Sequence, residues 1–126
     1  MAEIADSILD TTKKLVGVDP ENTDFDLDLT THINTVFFEL QQLGVGPTEG
    51  FDIEDNTKTW SEFIGSESIR AVKSLMVAKV RLLFDPPPTG PATEAVERQI
   101  SRLEWRLNIH MEEVRNKSDN LQLPLF

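Results

Sequence analysis

From Ala92 to Val114 the apolar residues Ala92, Val96, Ile100, Leu103, Leu107, Met111 and Val114 step by 4, 4, 3, 4, 4 and 3. That spacing follows the α-helical repeat and puts them all on one stripe; a strand would scatter them over both faces. At ~1.5 Å per residue the helix is about 35 Å long, close to the diameter of a small domain. Its stripe has to be covered, and the rest of the chain supplies helices to cover it. Upstream, Asp85-Pro86-Pro87-Pro88 ends whatever precedes it, because proline lacks a donor and disfavours helix in the residue before it. Pro91 then fits the first turn of the new helix.

Three earlier segments share the helical period. Ile4, Ile8, Leu9, Thr12, Leu15 and Val16 predict a helix over about Glu3 to Val16, with Lys13 and Lys14 at the end the dipole favours and Gly17 as its stop. Leu29, Ile33, Val36, Phe37, Leu40 and Leu43 predict a second from about Asp24 to Leu43, capped by Thr23 or Asp24 and ended at Gly44. Ile69, Val72, Leu75, Met76, Lys79, Val80 and Leu83 trace a third over about Ser66 to Phe84, which Val77, Leu82 and Phe84 widen into a helix with neighbours on more than one side. Between the second and third, residues 44–58 break the pattern with Gly44, Gly46, Pro47 and Gly50. Phe51 and Ile53 alternate with acids before an Asp55-Asn56 turn, so the loop can hold a short extended piece or weak hairpin. Thr59-x-x-Glu62 reads as a capping box opening a short helical turn through Trp60, Phe63 and Ile64.

With 126 residues the chain has the size of one domain. It reads as a soluble protein: the start lacks the charged-then-apolar pattern of a signal peptide, and no apolar run approaches the roughly 18–20 residues of a membrane span. The absence of cysteine excludes disulfides and thiolate metal sites and suits assembly in a reducing cytoplasm. The net charge of −10 argues against tight nucleic-acid binding, which Lys and Arg drive by neutralising phosphates. The charge is also uneven. Residues 1–67 carry 3 basic and 15 acidic side chains, residues 68–126 carry 9 and 7. Such asymmetry suits head-to-tail association of identical subunits, and equally suits two solvated faces.

Catalysis finds little support. The chain has two histidines, His32 and His110, no tyrosine, and no nucleophile beside a recognisable base. No catalytic, metal or cofactor site is expected. Asp24-x-Asp26-x-Asp28 resembles the opening of a calcium loop, but the glycine and bidentate glutamate such a loop needs are Leu29 and Thr35 here. The acids more simply complement a helix N-terminus. Arg98, Arg102 and Arg106 form an i, i+4, i+8 ridge in which only Arg98 has an acid four residues away, Glu94. The ridge is either a solvated face or a contact with the acid-rich half of an adjacent subunit; nucleic acid is a third, weaker reading. The Pro86–Pro91 run reads as a stiff hinge rather than a polyproline ligand. After Arg115 the chain turns polar and then ends in Leu121-Gln122-Leu123-Pro124-Leu125-Phe126. These alternating apolar residues either fold back on the core or dock on a partner, with Pro124 permitting strand pairing on one side only.

One ordered series is recognisable. It runs His32-Ile33-Asn34-Thr35-Val36-Phe37, Leu40-x-x-Leu43-Gly44-Val45-Gly46-Pro47, Phe51-x-Ile53-x-Asp55 and Trp60-Ser61-x-Phe63-Ile64-Gly65. It continues through Lys79-Val80-Arg81-Leu82-Leu83-Phe84-Asp85-Pro86-Pro87 and Glu97-Arg98-Gln99-Ile100-x-x-Leu103-Glu104-Trp105-Arg106. Over roughly residues 3–110 this succession resembles the head-to-tail connector family of long-tailed phages and prophages, often described as small DNA-packaging or head-completion proteins. The resemblance implies a compact helical bundle without catalytic activity, forming a ring, normally twelve-fold, beneath the portal. The ring would extend the DNA conduit and meet a stopper or tail-completion protein below; an acidic wall would let DNA slide without binding it. It also implies a place in the virion neck, after assembly in the host cytoplasm, and no membrane.

The expected architecture is therefore an all-α bundle of four main helices in residues 1–114, with a long central loop, followed by an extended C-terminal tail over 115–126. The expected partner surfaces are Phe51, Ile53 and Trp60 of the loop, the Arg98/Arg102/Arg106 ridge, and Leu121, Leu123, Leu125 and Phe126 of the tail. The functions weighed against the adaptor are a stopper or tail-completion protein of the same neck, a DNA-binding packaging factor like a small terminase subunit, and a small metal-dependent enzyme.

Overall fold

The computed structural model describes residues 6–63 and 69–122. Its elements are α1 (Ile8–Leu15), α2 (Asp26–Gln42), α3 (Trp60–Phe63), α4 (Ile69–Phe84) and α5 (Gly90–Gln122), with no strand among the described residues. Four of the five are the helices expected from periodicity, and the short α3 is the turn expected after the capping box. α4 is the central element: α2 packs along it, α5 packs along it, and α1 touches both α2 and α4. Val72, Leu75, Met76 and Val80 of α4 are accordingly fully buried. They meet Leu29, Ile33, Val36, Phe37 and Leu40 of α2, Ile8 and Leu9 of α1, and Ile100 and Leu107 of α5 in one core. Each such side chain contributes roughly 1.5–3 kcal/mol by leaving water.

Helix ends are set by local chemistry. The Ser7 hydroxyl accepts from the Asp10 N–H at the start of α1. At its end Gly17 takes φ +94, where the Gly17 and Val18 N–H groups close on the carbonyls of Lys14 and Lys13. Gly44 repeats the device after α2, with its N–H on Gln41 and that of Val45 on Leu40. The start of α2 differs from expectation. Phe25, not Thr23 or Asp24, occupies the capping position, and no side chain caps it. Asp26 of the first turn instead pairs with Lys13, 2.8 Å away. Lys13 is buried, and its ammonium also donates to the Pro20 carbonyl at 2.8 Å. A residue read as a dipole complement thus ties α1, the connecting turn and α2 together.

The loop between α2 and α3 is ordered by specific contacts rather than by a hairpin. Residues 6–8 and 58–60 meet in a single antiparallel bridge, Ser7 opposite Thr59, with Ile8 N–H on Lys58 O and Trp60 N–H on Asp6 O. The capping box forms as expected: Thr59 N–H donates to the Glu62 carboxylate, and Glu62 N–H to the Thr59 hydroxyl.

α5 departs most from the sequence reading. The stripe predicts an end near Val114, yet the helix continues to Gln122, 33 residues and about 50 Å. Residues 115–122 contain neither Gly nor Pro, so nothing stops the helix before the approach to Pro124. Among the α5 residues whose burial is described, Leu107 is the last buried and Met111 the last packed on the core. Leu15, Leu83 and Val114, all expected in the core, are instead 55 %, 51 % and 41 % exposed. Ile4 and Ile64 lie outside the described residues.

Candidate functional site

The loop residues expected at a partner surface turn inward. Trp60 and Ile53 are buried, and Phe51 is half-buried against Phe37 and Phe63, with ring centroids 5.1 and 5.2 Å away. Lys58 sits 4.9 Å above the Phe51 ring and Lys73 5.7 Å from that of Trp60. Ile53 is held by Asn34 of α2, whose carboxamide accepts from the Ile53 N–H at 2.8 Å and donates to its carbonyl at 3.0 Å. Gly46, at φ +89, lets the loop pass Phe63, whose Cζ would lie 2.8 Å from any Cβ there. The loop's apolar residues therefore finish the protomer's own core.

The arginine ridge is on the surface. Arg98, Arg102 and Arg106 are exposed on α5, and among the described residues none has an ion-pair partner. The Glu94–Arg98 pair that spacing allows is not formed. Trp105 projects from the same ridge, 64 % exposed. The opposite side of α5 carries Glu104 to Lys79, 2.6 Å away on α4, and Lys79 also holds Glu39 of α2 at 2.5 Å. Burial pulls the Lys79 pKa down, but its hydrogen bonds and charge contacts with Glu104 and Glu39 outweigh this and hold it above the usual 10.5. The Asp55 carboxyl is held below its usual range because the Thr57 hydroxyl and N–H both donate to it, fixing the turn expected there.

Further apolar residues that the core stripes do not include are exposed, among them two on α2. Leu27 and Phe38 are 79 % and 61 % exposed on the outward side of α2. Both lie half a turn off the core stripe, which is the signal that marks them. Of the tail, Leu121 falls in α5, while Leu123, Leu125 and Phe126 lie outside the described residues. Among the described residues no group of three or more His, Cys, Asp or Glu converges on a metal-sized site, and no helix is long and apolar enough to cross a membrane.

What this arrangement offers is surface: apolar side chains displayed on α2 and α5, and a basic ridge without ion-pair partners among the described residues. No curated protein and no solved structure matches the chain. The family model described as "Phage connector protein" matches residues 8–114, from the first residue of α1 into the last third of α5. The chain belongs to the phage connector protein family.

Proposed function

We propose that the chain is the head-to-tail adaptor of a phage neck, a structural, non-enzymatic subunit of a ring between the portal and the stopper or tail-completion protein. The observation that carries this reading is uncovered apolar surface: Leu15, Leu27, Phe38, Leu83 and Trp105 are each more than half exposed. Large apolar side chains left in water on several helices fit a subunit that meets its neighbours as copies of itself. Membership of the connector family points the same way and makes a virion component the natural setting. The net charge of −10 suits a conduit wall past which DNA slides.

In this reading α5 beyond the bundle, with the segment 115–126, reaches the portal. Deleting residues 119–126 is expected to abolish portal attachment; normal attachment and filled, tailed particles from that variant would rule it out. A cryo-EM map of the neck tests the ring itself, and this chain in a closed ring next to the portal is the expected result. Density placing it below that ring would make it the stopper or tail-completion protein instead. The unpaired Arg98/Arg102/Arg106 ridge favours one further reading, a DNA-binding packaging factor, which requires duplex binding that falls steeply with salt.

A further inference from the structure

Two faces of the protomer are complementary to each other. On α2, Leu27 and Phe38 lie eleven residues apart, three turns on one face spanning about 16 Å. Between them Thr31 and Thr35 donate their hydroxyls back to the carbonyls of Leu27 and Thr31, at 2.9 and 3.0 Å, so the strip is neutral and its hydroxyls are occupied. Phe38 borders a shallow concavity of about 330 Å³ whose lining includes Phe51, Gln41, Glu49 and Asp52. Residues 15–57 contain no Lys or Arg, so this face is apolar with Glu49 and Asp52 at its edge, and the nearest cation is Lys58, seated over the Phe51 ring. α5 displays the reverse: Trp105 exposed, with Arg98, Arg102 and Arg106 about it over some 12 Å of helix and no acid paired to them among the described residues.

We infer that the α5 ridge of one copy seats on the α2 face of a second copy, with Trp105 against Phe38 at the concavity and Arg102 and Arg106 meeting Glu49 and Asp52. The contact rests on the ring reading above and names the surfaces that build it. Because the two patches differ, each copy gives its α5 ridge to one neighbour and its α2 face to the other. Such a heterologous contact closes into a ring when the rotation allows. Tryptophan and arginine are the side chains that dominate interfaces, and the opposed charges set register and partner choice.

The full chain, examined by sedimentation equilibrium at concentrations up to about 1 mM, is expected to self-associate, less so as salt rises. Arg102→Glu with Arg106→Glu, or Glu49→Arg with Asp52→Arg, each weakens association about tenfold or more, and a chain carrying all four changes recovers it. Trp105→Ala weakens it without altering charge. All these side chains are exposed, so an unchanged melting temperature certifies the fold of each variant. Association indifferent to both reversals overturns the pairing while leaving the ring to be judged by the neck map. A chain that stays monomeric at about 1 mM overturns it too. So does duplex DNA retention lost in the Arg102→Glu/Arg106→Glu variant whose self-association is intact, which assigns the ridge to nucleic acid.

Discussion

Asn34 does for Ile53 what a neighbouring strand does in a sheet, accepting from its N–H and donating to its carbonyl. Asn34→Ala removes both partners at once from a buried backbone unit and is expected to cost about 2 kcal/mol, read as a lower denaturant midpoint with an unchanged slope. Gly46→Ala is expected to cost as much or more, because it places a Cβ at φ +89 against the Phe63 ring; thermal unfolding checks it. Neither role was legible in the sequence. Asn34 stood in the recognised motif series only as a marker, since periodicity ranks apolar residues and says nothing about a polar side chain's partner 19 residues on. Trp60 and Ile53 were misplaced on the surface for a related reason: a loop without a period carries no phase from which to read which way its side chains face.

At the scale of elements, an end was legible where it is made within four or five residues, and the cap of α2 and the end of α5 were not. The Thr59–Glu62 box and the Gly17 and Gly44 ends are of the legible kind. Lys79 is different. It lies on the α4 stripe among apolar residues, and only the packing of α2 and α5 on either side explains why a charge is tolerated there. Its pKa is raised on folding, so the stability it contributes is complete below the unfolded value near 10.5 and is lost as pH rises through the higher folded value. Stability is therefore expected to fall above about pH 10.5, and Lys79→Met to remove that part of the decline. Chemical denaturation repeated across that range measures it. An unchanged alkaline profile in the variant would mean that the three-helix ion cluster adds nothing.

For the whole molecule, the informative mismatch is between a 16-residue α4 and a 33-residue α5. The core ends near Met111, so a chain stopped after Val114 is expected to unfold within about 0.5 kcal/mol of the full one. Retained stability with lost portal attachment would separate the bundle's fold from its docking; a large drop in melting temperature would show that the segment past Val114 packs on the core. By itself the sequence determined the four main helices, the glycine stops of the first two, the centrality of α4 and the family, because each depends on local spacing or on the order of short motifs. Only the tertiary structure decided that the loop aromatics close the core, that Lys13 and Lys79 are structural ties, and that Leu27, Phe38 and Trp105 are left on the surface. Those outcomes depend on which faces meet, and a face is covered or uncovered by residues far away in the chain.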